Sequence, residues 1–253
     1  IERGRRVIAD SIAAIACGSV EPEVAALLGR MVKSDGPSSI IGTGRSSDPA
    51  TTAFLNGTAG TFLELDEGNQ FSRGHPGIHA LPSALAVAEQ IGAEGRAFLT
   101  AMILGYEIGA RIGIAAKILP TMHPHGTWGT VGSAVAVAKL MNASANKIRE
   151  VINVSSTLGL ATSRQTMLQG GTVRNSFAGF SGQIGIMAWD MLESGFTGEA
   201  DGLSTIWGKV ISTEWRSEEM TNELGSRYEI ARNYFKRHAC CRYNHGTLDA
   251  MAM

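Results

Sequence analysis

Apolar residues recur along most of this chain at the spacing of one face of an α-helix. Near the start, Val7, Ile8 and Ile15 follow this spacing ahead of a glycine stop, which predicts a first helix over Arg6–Gly18. Proline and glutamate then open a second helix, which we predict to run over Pro22–Val32. The first part of the chain is therefore predicted to be helical.

The same periodicity predicts further helices and few strands. These helices are Ala50–Leu65, Pro82–Ile91, Gly95–Ile118, Thr127–Met141, Ala145–Leu160 and Thr172–Glu193. Ser34–Ser47 is rich in glycine, serine and proline, which is typical of a loop, and Ser38–Gly44 has room for one short strand. The pattern therefore predicts an all-α fold class, built as a large helical bundle.

Several predicted helices contain glycine, including Gly105, Gly109 and Gly132. A glycine inside a helix costs about 1 kcal/mol relative to alanine, so we expect close helix–helix contacts to compensate. A membrane bundle with small-residue seams is the alternative. Glu107 and Arg111 interrupt the apolar stretch, and no uninterrupted apolar run reaches about 18 residues. A helix buried in a soluble bundle is the favoured interpretation.

Composition narrows the function classes. The chain has 253 residues, 44% of them hydrophobic and 18% charged, as in ordinary globular proteins. Its net charge of −1 gives no basic bias for nucleic acid, and its first residues do not resemble a signal peptide. Three cysteines, Cys17, Cys240 and Cys241, distribute poorly into disulfides and lack the three or four closely spaced thiolates of a typical iron–sulfur cluster. We therefore expect a cytoplasmic protein.

Four of the six histidines lie in two breaks between predicted helices. His75 and His79 are in the first break, and His123 and His125 are in the second. His75 and His123 each precede a proline, which predicts that each is held just outside a helix N-terminus. There the helix dipole disfavours a charged imidazole, and a neutral histidine facing an anionic ligand suits acid–base catalysis. The alternative is that each histidine only hydrogen-bonds its loop.

The same histidines raise the question of a metal site. His75 and His79 are four residues apart, as zinc ligands on one helix are. Pro76-Gly77 argues against a helix across this segment, so the spacing loses that meaning. We predict no metal and no cofactor.

Two more segments carry candidate chemistry. Gly170-Gly171 precedes a helix and suits an anion held by backbone N–H groups, and Arg174 offers a fork for a carboxylate. An ordinary helix start with a solvated arginine is the alternative. Lys236–Ala250 is basic and polar, and contains Cys240-Cys241. Those cysteines suit thiol chemistry or, more commonly, burial as small apolar side chains.

Taken in order, these segments resemble the MmgE/PrpD family, which includes 2-methylcitrate dehydratase, cis-aconitate decarboxylase and iminodisuccinate epimerase. The similar motifs are Asp10–Gly18, Leu65-Asp66 with Gly74–Gly77, Met122–Gly129, Thr172–Gly179, Gly195–Gly198, and Cys240–His245 with Asp249-Ala250. The resemblance covers nearly the whole chain.

The resemblance implies a set of site residues. The catalytic residues would be Asp66, His75, His123, Arg174 and His245. Substrate-binding residues would be Arg73, Gly74, His125, Thr127, Gln169 and Arg242. This sequence departs from the family's motifs at two places, and both bear on which reaction would be catalysed. Arg174 stands where the dehydratase- and decarboxylase-type members usually carry lysine, and arginine clamps a carboxylate but is a poor proton donor. Glu67–Gln70 also differs from the Asp-Thr-His type of sequence in those members.

The resemblance also implies a fold of one large helical domain and a smaller α+β lid domain. It further implies that the protein associates as a homodimer. Residues 1–235 would form the helical domain, and residues 236–253 would begin the connection to the lid. The chain is expected to end where the lid begins, so the lid and its catalytic tyrosine would be absent from it.

The function that these expectations favour is a metal-independent acid–base enzyme acting on a small di- or tricarboxylate. A dehydratase-like lyase comes first, followed by an epimerase, with a decarboxylase also possible. A non-catalytic carboxylate-binding protein is an alternative from another class. A pure oligomerisation scaffold leaves the clustered histidines unexplained. The expected partners are the polycarboxylate and a second copy of the chain, with no nucleic acid and no membrane.

Overall fold

The computed structural model describes all residues from 1 to 253 and is mainly helical. The α-helices are α1 (Glu2–Gly18), α2 (Pro22–Met31), α3 (Pro49–Phe62), α4 (Pro76–Ile91), α5 (Gly95–Ala115), α6 (Gly129–Leu140), α7 (Ala145–Ser156), α8 (Arg164–Leu168), α9 (Phe177–Glu193) and α10 (His245–Met251). The strands are β1 (Ser38–Ile40), β2 (Arg45–Ser47), β3 (Ala116–Ile118) and β4 (Ser212–Trp215). Turns of 3-10 helix lie at Thr172–Ser176, Ser217–Met220, Glu229–Arg232 and Arg242–Asn244, and a π-helix spans Leu203–Val210.

The centre of the bundle is α6, which packs against α4, α5, α7 and α9. The close contact that the helix glycines predict is confirmed between α5 and α6. A Cβ atom on Gly105 would lie 2.6 Å from the carbonyl oxygen of Gly132, and a Cβ atom on Gly132 would lie 2.6 Å from the carbonyl oxygen of Gly105. A Cβ atom on Gly109 would lie 3.2 Å from the Trp128 ring. These helices therefore meet backbone to backbone, which only glycine permits.

Helix α5 is long and apolar enough to cross a membrane by length and composition, as is the bent pair of α1 and α2 taken together. Of the apolar window in α5, 61% is buried inside the protein. Its charged residues are also accommodated there, because Arg111 Nε lies 2.7 Å from Glu107 Oε1 and the Arg111 guanidinium donates to three backbone carbonyls. A core helix accounts for these features.

The predicted helices are confirmed to within a few residues, with two exceptions. Helix α4 begins at Pro76 rather than at Pro82. Proline suits the first position of a helix, and the next N–H group, from Gly77, donates to Glu67 Oε1 at 2.8 Å. His75 is the N-cap residue of this helix, with a φ of −126°, so the prediction that it lies just outside a helix N-terminus is confirmed. Pro76 and Gly77 begin the helix that carries His79, so the expectation that they interrupt it was wrong. The other exception is Thr172–Ser176, which forms a separate 3-10 turn before α9.

Strand content exceeds the prediction. Instead of one short strand, β1 and β2 form an antiparallel hairpin in which Ser38 pairs with Ser47. Gly42 and Gly44 close it with φ values of 80° and 68°, which glycine adopts without strain. β3 was predicted as the end of a helix, but it pairs with β4 from a distant part of the chain. The division at residue 235 stays a prediction.

Candidate active site

Four imidazole rings form one cluster in the interior. The His125 ring centroid lies 4.7 Å from that of His75, 5.0 Å from that of His79 and 4.9 Å from that of His123. His75 and His79 come from the start of α4, and His123 and His125 come from the connection between β3 and α6. The two histidine-containing breaks therefore meet around His125. Nowhere in the chain do three or more His, Cys, Asp or Glu side chains adopt an arrangement that could hold a metal ion.

The first acid–base candidate is His75 with Asp66. His75 Nδ1 lies 2.7 Å from the Glu67 carbonyl oxygen and 3.0 Å from Asp66 Oδ2. Because the atoms nearest Nδ1 are all acceptors, and the Glu67 carbonyl accepts its hydrogen bond, the neutral ring carries its proton there and keeps its basic lone pair on Nε2. A buried carboxylate in this position also stabilises the imidazolium that forms when Nε2 takes a proton.

Asp66 stays ionised in spite of its burial. Burial alone would raise its pKa, but His75, Lys236 and Arg174 together hold the pKa of this carboxyl well below its usual range. Lys236 Nζ lies 3.7 Å from Asp66 Oδ1, with no exposed area on the lysine side chain. The pair of Asp66 and His75 therefore has a permanent negative partner for the imidazole.

His123 is neutral, but not for the predicted reason. It does not lie at a helix N-terminus, because α6 begins only at Gly129. Burial, and after it the positive charge of Arg174, lowers its pKa to about 3. The backbone N–H of His125 donates to His123 Nδ1 at 3.1 Å, so the neutral ring carries its proton on Nε2. His123 therefore presents a hydrogen-bond donor rather than a base.

The other two histidines are also buried and neutral. Burial lowers the pKa of His79 to about 3 and that of His125 well below its usual value. Neither ring nitrogen of His79 has a hydrogen-bond partner in the chain, and neither does His125 Nδ1. His79 packs edge-to-face on Trp128, with the ring centroids 5.5 Å apart. From the sequence His79 was predicted only as a possible metal ligand, and its position beside His125 was not predicted.

Arg174 is buried, so the alternative of a solvated arginine was wrong. Its side chain is 9% exposed and forms an ion pair through Nη1 with Glu64. Nη1 also donates to Asn175 Oδ1 at 3.2 Å, whereas Nε has no partner. The preceding Gly170-Gly171 does not hold an anion, because both N–H groups donate to carbonyls of α8. The anion-binding feature of this segment is therefore the arginine side chain.

Lys236 reaches this region through a pairing that the sequence does not signal. The backbones of Gly68 and Tyr234 exchange hydrogen bonds of 3.0 and 2.8 Å, which brings the fourth segment alongside Asp66. Lys236 Nζ then donates to Glu64 Oε2 at 3.1 Å and to the Glu64 carbonyl at 2.9 Å. Two cations, Arg174 and Lys236, therefore share the carboxylate of Glu64.

Glu67 lies behind His75 and was not predicted as a site residue. Its carboxylate is fully buried and accepts hydrogen bonds from Gly77 N at 2.8 Å and from the Tyr106 hydroxyl at 3.0 Å. Burial raises its pKa to about 7, against the lowering effect of these donors. Glu67 therefore fixes the start of α4, and with it His75, through a carboxyl that titrates near neutrality.

His245 is not in contact with the four-histidine cluster. Its ring centroid lies 5.1 Å from that of His238, which in turn contacts Asp249 at 2.9 Å. Arg242 donates to Gln70 Oε1 at 2.9 Å on the exposed side of the first break. Cys241 is exposed, so the expectation of a buried thiol there was wrong. The site roles of His245 and Arg242 stay predictions.

The remaining predicted binding residues have mixed surroundings. Arg73 and Gln169 are exposed. The Thr127 hydroxyl is buried and donates to the Pro124 carbonyl, which closes the turn before α6. Gly74 lies against Trp128, where a Cβ atom would be 2.4 Å from the ring. Thr127 and Gly74 therefore have structural roles in the protein. Their contacts with a substrate stay predictions.

Comparison with known proteins gives matches along the whole chain. The model of the MmgE/PrpD N-terminal domain matches residues 1–214. A cis-aconitate decarboxylase-like protein, oryM, of Aspergillus oryzae is 26% identical over 276 residues, which cover 99% of this chain and 56% of that protein. A cis-aconitate decarboxylase of Aspergillus terreus is 23% identical over 271 residues, or 99% of this chain and 55% of that protein. The chain spans about half the length of these relatives.

Proposed function

Because this chain belongs to the MmgE/PrpD family, we propose that it acts on a small di- or tricarboxylate by acid–base chemistry at the four-histidine cluster. The observation that carries the proposal is that two histidines in contact with the same His125 ring have different proton positions. His75 is held as a base by Asp66, and His123 is held as a neutral donor by the backbone N–H of His125. Such a pair suits removal of a proton from a carbon acid.

In the proposed first step, His75 Nε2 takes a proton from the carbon next to a substrate carboxylate. The C–H electrons move into that carboxylate as an enolate, while Asp66 stabilises the imidazolium. His123 Nε2–H and the guanidinium of Arg174 stabilise the negative charge that develops. The chain thus supplies a base, a neutral donor and a fixed cation.

The proposed reaction is a dehydration. The C–O bond of a neighbouring hydroxyl breaks, the enolate electrons form a carbon–carbon double bond, and the leaving oxygen takes back from the His75 imidazolium the proton that His75 removed, which releases water. An epimerisation would use the same enolate, which is reprotonated on the opposite face. We place dehydration first because His75 alone can take and return the proton, whereas reprotonation on the opposite face needs a second protonated group and His123 is neutral.

Decarboxylation is the second candidate, because one of the two relatives is named a cis-aconitate decarboxylase and the other a cis-aconitate decarboxylase-like protein. In that reaction the bond between the substrate and a carboxylate carbon breaks and CO₂ leaves. The electrons of that bond stay on the substrate carbon, which then takes a proton from a protonated histidine. Arg174 would hold a second carboxylate in place. Independence from metal, a homodimeric state and a cytoplasmic location belong to the same proposal.

The test is solvent exchange followed by NMR, since exchange reports proton removal before any product is known. The purified protein is incubated in D₂O with 2-methylcitrate, cis-aconitate and iminodisuccinate in parallel, and deuterium incorporation and new products are recorded. We expect exchange or turnover with one of them, and its loss in His75→Gln. Binding without exchange or turnover would favour a non-catalytic carboxylate-binding protein instead.

A further inference from the structure

Glu64 has an unusual backbone for its residue type. It follows Leu63, the C-cap residue of α3, and has a φ of 55°, in the left-handed region that L residues with a side chain adopt only with strain. Strain of this kind persists where surrounding contacts fix the residue. The contacts that fix Glu64 are those of its carboxylate and its carbonyl group.

Those contacts are with two cations. One carboxylate oxygen, Oε1, pairs with Nη1 of Arg174, and the other, Oε2, lies 3.1 Å from Nζ of Lys236. The Glu64 carbonyl also accepts from Lys236 Nζ at 2.9 Å. The side chain is 27% exposed, whereas those of Arg174 and Lys236 are 9% and 0% exposed. Glu64 therefore lies between the buried cations and the more open side of the site.

The contact with Glu64 occupies only one end of the guanidinium of Arg174. Nη1 is taken by Glu64 and Asn175. Nε is buried with no partner in the chain, and no hydrogen bond of the chain involves Nη2. Nε and Nη2 form the edge of arginine that binds a carboxylate with two parallel hydrogen bonds. An unpaired buried donor is costly, so this edge is built for an acceptor from outside the chain.

We propose that Glu64 is a positioning residue that holds Arg174 by Nη1 and so leaves the Nε–Nη2 edge for a substrate carboxylate. Without Glu64 the guanidinium is free to rotate, and its other edges compete for the ligand. The inference rests on the proposed function only in taking a carboxylate as the ligand.

The experiment measures binding of tricarballylate, an unreactive tricarboxylate, by calorimetry. Glu64→Gln keeps the shape of the side chain but removes the charge that pairs with both cations. We expect binding to weaken by about tenfold, since a charge-assisted contact becomes a neutral one. In turnover, KM should rise by a similar factor while kcat stays within about twofold, because Glu64 acts on binding alone.

Glu223→Gln is the matched control. Glu223 also has a positive φ, 52°, and also pairs with an arginine, Arg227, at 2.6 Å, but it is exposed and outside the site. Its substitution should leave tricarballylate affinity unchanged. Glu64→Gly provides a second variant, since glycine adopts this backbone without strain. It should bind as weakly as Glu64→Gln, and the relief of backbone strain should offset part of the stability that is lost with the two ion pairs.

Equal affinity in the wild type, Glu64→Gln and Glu64→Gly proteins would overturn the inference and leave the proposed function standing. If the wild-type protein binds neither tricarballylate nor any of the three candidate substrates, the proposed function fails first. A loss of affinity that merely follows a loss of folded protein in the thermal melts of both Glu64 variants would also overturn the inference.

Discussion

The backbone N–H of His125 donates to Nδ1 of His123, and this 3.1 Å hydrogen bond determines where a neutral His123 carries its proton. The tight turn at Pro124 brings the two groups together, and the Thr162 hydroxyl holds the turn, because its single proton lies between the carbonyl oxygens of His123 and His125, at 2.7 and 2.8 Å from Oγ1. His125 thus contributes to the site through its main chain as well as through its ring.

This hydrogen bond leads to a prediction for substitutions of His123. His123→Ala should lower kcat by about 10²-fold or more, because a donor to the developing negative charge is lost. His123→Gln should retain more activity, since its side-chain amide N–H lies near the position of Nε2–H. Steady-state kinetics with the substrate identified by deuterium exchange provide the measurement. A kcat near the wild-type value in His123→Ala would sink the proposed mechanism.

Arg174→Lys should separate clamping from proton transfer. Lysine keeps the charge but offers a point charge instead of a fork, so we expect KM to rise by about tenfold with a smaller change in kcat. If this position donates a proton during dehydration, kcat should instead increase, because lysine can give up a proton and arginine cannot. The comparison of kcat and KM on one substrate distinguishes the two roles.

Periodicity was sufficient for most of the fold, because apolar spacing reports directly on buried helix faces. The exceptions depended on contacts distant in sequence. The start of α4 at Pro76 is stabilised by Glu67, and β3 needs β4 to be a strand rather than the end of a helix. No local pattern within either segment indicates these partners.

The candidate site divides in the same way. Asp66, His75, His123 and Arg174 were predicted from motifs, and the structure brings them together. Glu64 and Lys236 were missed. The contact between them depends on the pairing of Gly68 with Tyr234, and Glu64 meets Arg174 across more than a hundred residues of sequence. The proton position on His123 was also beyond prediction, since it is fixed by turn geometry rather than by residue type.

The meeting of α5 and α6 predicts a stability difference between glycines. Gly132→Ala should destabilise the protein by about 1–3 kcal/mol, because the new Cβ would lie 2.6 Å from the Gly105 oxygen and the helices must separate. Gly29→Ala in α2 is the matched control, since nothing lies within 4 Å of its Cβ. It should stabilise the helix by about 0.5–1 kcal/mol. Urea unfolding of both variants measures the difference, and equal effects would contradict backbone-to-backbone packing.

Glu67→Gln should change how stability depends on pH. Burial raises the folded-state pKa of Glu67 from 4.5 to about 7, so the neutral carboxyl favours the fold below about pH 4.5 and this contribution is lost as the pH rises through 7. Glutamine stays neutral. Its oxygen can still accept from Gly77 N, and its amide can donate to the Tyr106 hydroxyl oxygen.

The variant should therefore gain stability over the wild type as the pH rises from about 5 to about 8, at up to about 1.4 kcal/mol per pH unit between the two pKa values. Thermal melts of both proteins across this range measure the gain as a difference, which removes the contributions of other titrating groups. Glu150→Gln, on the exposed part of α7, is the control and should give a difference independent of pH in this range. A constant difference for Glu67→Gln as well would mean that Glu67 is already ionised throughout, with its charge fully stabilised by Gly77, Tyr106 and the nearby His75.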